Sequence, residues 1–342
     1  MAGLPAARSI LVIHVSRIGD TLLATPALRV IAAAWPQAKI SCLAHPRRLE
    51  VLRNLPFVHH LGAITKGRAR LLRLWAARRH QIAFVFGHDE PLMLYALRAA
   101  ERVIAFRQEN ESINHCLYRM AERPGFQDRH AVDYHLALLS PLEIPVQGRH
   151  LSYAVTEAES AWSKRELAAL RIAQAAPLIG LQIASFPTKA YRDWPLGRFM
   201  ELCDRIVLHY PNAHFLILGG AEEAERTHAL KHRLERRATL YAGRLTLRES
   251  AALMNELDLY VGVATGPTHI MGALHRPMVA LYHAYSPSTL LAPLEHPCLY
   301  VVDHPDAGRD CGPDTPMAGI SVDRVWSQVA AALEQHFSRR AP

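Results

Sequence analysis

Five residues, Ser16-Arg17-Ile18-Gly19-Asp20, stand between a short apolar run, Ile10 to Val15, and a helical pattern that follows. A β-branched run of that length reads as a buried strand of a parallel sheet. Ligands in open α/β sheets bind beyond the carboxyl ends of strands. Asp20 therefore places a carboxylate at the mouth of a crevice, where it can serve as a general base toward an attacking hydroxyl. Gly19 is expected to let the backbone turn there. Asp20 could instead be a helix N-cap. Thr25-Pro26 competes for that role, threonine being a good cap and proline suiting the first helical turn. With Thr25 as the cap, Asp20 is left to face the crevice.

The second half of the chain holds three further strand-to-helix junctions. In Leu257-Asp-Leu-Tyr-Val-Gly-Val-Ala-Thr-Gly-Pro-Thr-His269 a strand ends near Val263, and Thr265 or Gly266 would cap a helix that carries Pro267 in its first turn. The amides of such a helix start form a ready anion site, and His269 in the same turn could reach a phosphate. An ordinary strand–helix turn explains the pattern equally well. In Ala184-Ser-Phe-Pro-Thr-Lys-Ala-Tyr-Arg-Asp-Trp-Pro195, Lys189 and Arg192 supply positive charge and Ser185 a hydroxyl. A guanidinium can grip a diphosphate with two parallel hydrogen bonds. In Leu216-Ile-Leu-Gly-Gly-Ala-Glu222 a strand ends at the glycine pair, and Glu222 opens a helix. The helix dipole favours an acid there with or without a ligand, although a carboxylate could also accept ribose hydroxyls.

A cationic run, Lys66 to His80, reads as an amphipathic helix that is either a solvated face or a contact for an anionic membrane or acidic acceptor. Neither G-x-G-x-x-G nor G-x-x-x-x-G-K-[ST] occurs, so dinucleotide and Walker-type binding are unsupported. Without a D-x-D pair, the usual acidic anchor for a divalent metal beside a sugar nucleotide is missing, and no cofactor is expected. The basic residues are spread widely and lack interleaved aromatics, which argues against nucleic acid.

The elements that must hold these groups follow a repeated βα rhythm. The chain has 342 residues, long enough for about two domains. Half of it is hydrophobic and a fifth charged, with a net charge of +8 that favours anionic partners. Five scattered cysteines fit a reducing cytosol better than a disulfide framework. The expected strands are 10–15, 39–44, 82–86 and 102–105, then 177–183, 214–218, 257–263 and 278–282. The expected helices are 26–34, 68–79 and 91–99, then 157–173, 195–210, 222–236, 247–256, 268–274 and 322–337. Residues 107–129 read as a long functional loop. A linker near 144–152 separates a first domain, 1–150, from a second, 151–342, whose last helix either closes that domain or folds back on the first. The expected fold class is α/β, two doubly wound Rossmann-like domains facing across a cleft. No apolar run is long enough to span a membrane, so the chain is expected to be cytoplasmic, meeting a membrane only from that side.

Taken in order, these segments resemble glycosyltransferase family 9, the bacterial lipopolysaccharide heptosyltransferases. The resemblance runs from R-I-G-D and T-P-A-L-R in Ile10–Arg29 through Arg192-Asp-Trp-Pro195, Gly219-Gly-Ala-Glu222 and Ala242-Gly-Arg-Leu-Thr-Leu247 to Thr265-Gly-Pro-Thr-His269. It implies a GT-B fold and inverting, metal-independent transfer. The donor would be a nucleotide sugar such as ADP-heptose, and the acceptor a hydroxyl of the lipid A/core oligosaccharide. It also implies that Asp20 is the base and that Arg17 and Gly19 lie on the acceptor side. Ser185, Lys189, Arg192, Glu222, Thr265, Gly266 and His269 would then lie on the donor side. Two departures stand out: Ala264 occupies a position where many members carry aspartate, and Arg192 falls on the family's donor-site lysine. Three rival readings remain: a nucleotide-sugar epimerase of the same architecture, a family 9 transferase using another nucleotide sugar, and a basic surface-binding protein.

Overall fold

The computed structural model describes residues 4–337, apart from 126, 128, 171 and 173–175. The chain divides into two compact units, Met1–Ala154 and Val155–Pro342. Among the described residues, the first unit holds β1 (Ser9–His14), β2 (Lys39–Ala44), β3 (His60–Ala63), β4 (His80–Val85), β5 (Ala100–Phe106) and β6 (Arg119–Ala121). Its helices are α1 (Ile18–Leu23), α2 (Thr25–Ala34), α3 (Lys66–Leu72), α4 (Glu90–Ala99), α5 (Glu111–Asn114) and α6 (Ala131–Leu136). The second unit holds β7 (Leu178–Gln182), β8 (His214–Leu218), β9 (Ala238–Leu240), β10 (Leu259–Val263), β11 (Met278–Tyr282) and β12 (Leu299–Asp303). Its helices are α7 (Glu157–Ala169), α8 (Leu196–His209), α9 (Ala224–Leu234), α10 (Leu247–Met254), α11 (Gly266–Leu274), α12 (Ser288–Leu291) and α13 (Val322–His336).

Each sheet is parallel, in the orders β3-β2-β1-β4-β5-β6 and β12-β11-β10-β7-β8-β9. Counted within its own unit, the second sheet repeats the order of the first. The direction of winding reverses between β1 and β4 in one sheet and between β7 and β10 in the other, which is where such folds open a ligand crevice. The central strands are largely apolar because helices cover both faces. Ile10 stands in register with Ile40 and Ile82, and Leu181 with Ile217 and Val261. Ile10, Leu11, Val12 and Ile13 are all essentially inaccessible.

Helix α13 resolves the choice left open for the last helix. Val325, Val329 and Leu333 share a core with Leu202 and Ile206 of α8 and Val302 of β12, all in the second unit. Helix α7 ends at Ala169, and the expected continuation to Ala173 includes residues outside those described. Helix α3 stops at Leu72, because the chain must extend to enter β4 at His80. The stretch expected as a loop over 107–129 contains α5 and β6. Close approach explains one glycine in the sheet. A Cβ on Gly262 would lie 2.8 Å from Tyr260 Cζ and 2.9 Å from the Gln182 Cβ. Gly262→Ala should therefore cost about 1–3 kcal/mol of overpacking, read as a lower urea midpoint at unchanged m-value.

Candidate functional site

In the first unit, the residues after β1 pass directly into α1. Arg17 is its extended N-cap and is exposed, while Asp20 lies in the first turn. The Thr21 amide and hydroxyl both donate to the Arg17 carbonyl, at 2.9 and 2.7 Å. Two expectations need correction here. Gly19 is not a left-handed turn residue; it lies inside α1, and the positive-φ glycines are elsewhere. Nor does Thr25 cap α2. The cap position is Ala24, in helical conformation, because α1 and α2 follow each other almost without a break. The Thr25 hydroxyl donates back to the Leu22 carbonyl at 2.6 Å and accepts from the Ser152 amide at 3.0 Å.

The Asp20 carboxylate is half-buried and accepts a hydrogen bond from the Ser16 hydroxyl at 2.8 Å. The Ser16 carbonyl in turn accepts from the Arg48 guanidinium at 3.0 Å, which ties this loop to the segment after β2. Beneath it, His14 Nε2 lies 3.3 Å from the Asp20 carbonyl oxygen, so the tautomer with its hydrogen on Nε2 donates there. The His14 ring packs edge-on against Phe86 and His135. Burial lowers the His14 pKa against the pull of Asp20, and burial followed by His14 lowers that of His135. Both imidazoles are thus neutral at physiological pH and act as packing for the turn. Elsewhere in this unit, after the carboxyl ends of β4 and β5, a cavity of about 420 Å³ is lined by His88, Arg107, Gln108 and Arg123 among others.

In the second unit the carboxyl ends of β7, β8 and β10 bring most of the candidate residues together. Thr265 is the extended N-cap of α11, and its amide donates to Thr268 Oγ1 at 3.3 Å. That hydroxyl also meets the Val263 carbonyl at 2.5 Å and the Tyr260 hydroxyl at 3.0 Å, so the helix start is locked to β10. Arg192 Nη1 donates to the Ala264 carbonyl at 3.4 Å, which sets its guanidinium beside the first turn of α11. Lys189 Nζ and the Arg192 guanidinium each lie 5.4 Å from the Tyr191 ring, whose edge packs on His283. The result is two cationic side chains around Tyr191, with Arg192 beside a helix N-terminus, an arrangement that attracts anions.

Ser185 is placed otherwise than its hydroxyl suggested. That hydroxyl lies 2.7 Å from the Lys189 carbonyl and 2.6 Å from Asp193 Oδ1, and the Ser185 amide donates to the same carboxylate at 2.8 Å. Ser185 therefore folds the loop that carries the cations. Asp193 and Arg226, which the sequence did not single out, complete the fastening at 3.3 Å. Glu222 is exposed in a short turn before α9, and His269 is a buried residue of α11 itself. Glu223, also missed, is the carboxyl group that turns inward. Gln182 Nε2 donates to Glu223 Oε2 at 3.1 Å, and a Cβ on Gly219, whose φ is +144°, would meet that oxygen. A bare glycine next to an acid pair was the available signal.

Burial pushes the Glu223 carboxyl up to about 7 against the stabilising bond from Gln182. The folded value lies above the unfolded one, so the unfolded chain loses this proton first. Stability from this group falls as pH rises from about 4.5 to about 7 and is constant above that. Glu223→Gln should match the parent near pH 4 and exceed it by roughly 1–3 kcal/mol near pH 8, a difference that denaturant titrations across that window will read.

Similarity to known proteins agrees with this geometry. The model of glycosyltransferase family 9 (heptosyltransferase) matches residues 93–304, well over half the chain. The chain belongs to glycosyltransferase family 9. It is 21% identical over 285 residues to lipopolysaccharide heptosyltransferase 3 of Escherichia coli, covering 78% of this chain and 81% of that protein. The solved family 9 glycosyltransferase of Veillonella parvula DSM 2008 superposes with a TM-score of 0.81 at 19% identity, covering 96% and 97% of the two chains. The E. coli ADP-heptose lps heptosyltransferase II superposes at 0.76 with 22% identity, over 96% and 99%. The fold is therefore GT-B, and the protein is a glycosyltransferase. Membership of family 9 takes precedence over the epimerase and surface-protein readings. The matched segment includes every candidate from Ser185 to His269 and stops short of Asp20.

Proposed function

We propose that this family 9 enzyme transfers a heptose from ADP-heptose to a hydroxyl of the lipopolysaccharide inner core, with inversion and without a metal. The observation that carries this reading is the Arg192 guanidinium held at the start of α11, with Lys189 on the same loop. In the reaction the acceptor oxygen attacks the anomeric carbon from the face opposite the diphosphate. The new carbon–oxygen bond forms as the bond to the leaving diphosphate breaks, and the acceptor proton passes to Asp20. Arg192, Lys189 and the first-turn amides of α11 take up the charge that develops on the leaving group. Thr265 and Gly266 bring the backbone to the phosphates, His269 stands behind them, and Glu222 is the ribose contact. Arg17 and Gly19 lie on the acceptor side, next to Asp20 in the chain.

Support for ADP-heptose comes from the relative named for it, and support for heptose from the family's description. The acceptor is lipid-linked in this reading, so the enzyme works at the cytoplasmic face of a membrane. No described helix is long and apolar enough to cross one. Ala264, nearly fully buried where many members carry aspartate, favours a second reading in which the donor is another nucleotide sugar. Incubating the protein with a panel of nucleotide sugars and heptose-deficient core acceptor tests both. Mass spectrometry should show one added heptose from ADP-heptose, undiminished by a chelator, with inverted configuration by NMR. Transfer from a different donor alone would select the second reading, and no transfer from any donor would reject both.

A further inference from the structure

The stretch from Lys66 to Arg79 contains six cationic residues, and no aspartate or glutamate occurs from Lys66 to His88. Helix α3 is followed by one more turn, in which the Leu74 amide donates to Leu71 and the Trp75 amide to Leu72, at 3.0 and 3.1 Å. One side of this element is anchored. Ala69 is fully buried in a core shared with Leu92, Met93 and Ala96 of α4. Elsewhere on the element Leu71 is 61% exposed, Leu74 59% and Trp75 75%. Nine large hydrophobic residues are exposed among the described residues, and four of them fall within positions 71–75. Single exposed apolar residues need no explanation, but a cluster does. Lys66 pairs with Asp89, whereas Arg68, Arg70, Arg73, Arg78 and Arg79 form no ion pair among the described residues.

Charge selects the occupant of this surface. A second copy docked symmetrically on the same patch would set the arginines of one chain against those of the other. A leaflet of anionic phospholipid satisfies both features at once. Its phosphates meet the guanidinium groups, and the boundary between headgroups and acyl chains takes leucine and an amphipathic indole. We propose that residues 66–79 are a docking surface for an anionic bilayer, with Leu71, Leu74 and Trp75 entering the interface and the arginines around them on lipid phosphates. This deepens the reading above, in which the acceptor is lipid-linked, by assigning the surface that holds the enzyme to the acceptor's membrane.

Sedimentation with vesicles tests it. The 342-residue chain should bind vesicles of phosphatidylethanolamine with one quarter phosphatidylglycerol at least about 10-fold more strongly than phosphatidylcholine vesicles, and less as salt rises. The combined substitution Leu71→Ser, Leu74→Ser, Trp75→Ser should lower binding by about 10-fold or more. Its melting temperature and its transfer to a water-soluble, deacylated acceptor should be unchanged. Bromine-labelled lipid should quench fluorescence in the parent and not in Trp75→Phe, a readout that needs no destabilising change. Absence of binding to anionic vesicles, or full binding by the triple variant, would overturn the proposal, as would a dimer that the triple substitution dissociates. Vesicle binding without transfer from any nucleotide sugar would leave the docking surface standing and remove the activity. Transfer to the soluble acceptor without vesicle binding would do the reverse.

Discussion

Asp20→Asn is expected to lower turnover by roughly 10²–10⁴-fold, the range ascribed to a positioned general base, with affinity for the nucleotide sugar unchanged. The substitution is chosen for its geometry. An amide oxygen can still accept the 2.8 Å bond from Ser16, and the backbone contact with His14 does not involve the side chain, so the turn should keep its shape. What is lost is the ability to take a proton. Turnover and donor affinity therefore separate, the first measured with saturating acceptor and the second by titration with the nucleotide sugar alone. If turnover holds at the parent level, Asp20 is not the base and the acceptor must lose its proton elsewhere.

Arg192→Ala should act on the other half of the reaction, weakening nucleotide-sugar affinity about 10–100-fold, the equivalent of losing one or two charge-assisted hydrogen bonds. The guanidinium is held by Ala264 and Tyr191, and neither partner is a carboxylate. Its positive charge is thus left for a ligand, which is why a large effect is expected from a half-buried side chain. Arg192→Lys should recover part of the affinity, since it restores charge without the forked geometry. The measurement is calorimetric titration with the nucleotide diphosphate and with the nucleotide sugar. Unaltered affinity of the alanine variant for both would remove Arg192 from the donor site.

What could be read in the chain beforehand divides along physical lines. All eight inner strands were visible, because a parallel strand covered on both faces is a continuous apolar run such as Ile10–Ile13 or Met278–Tyr282. The four strands that escaped notice, β3, β6, β9 and β12, are the two edges of each sheet. An edge strand is short or half-exposed, as in Arg119–Ala121 and Leu299–Asp303, and its pairing comes from the neighbour rather than from its own residues. Where the candidate residues sit in the fold was legible for the same reason as the inner strands. Asp20, Arg192 and Thr265 follow strands that advertise themselves. Side-chain roles were less so. Ser185 and Asp193 differ from solvent-facing polar residues only in where the loop folds, and Glu223 differs from Glu222 only in which way a single turn points. Both Thr25 and Gly19 illustrate the limit of local rules, since one has a good reason to cap a helix start and the other to turn the backbone sharply, and neither does.

The shared strand order has a practical corollary. Asp20 hangs from the first strand of its sheet, and the loop with Lys189 and Arg192 hangs from the first strand of the other. Each is fastened within its own unit, by Arg48 in one case and by Asp193 with Arg226 in the other. Under the proposed roles of these two loops, selectivity for one substrate can drift without disturbing selectivity for the other. Under those roles, exchanging residues 184–194 with those of a relative should alter sugar preference while the acceptor specificity is kept.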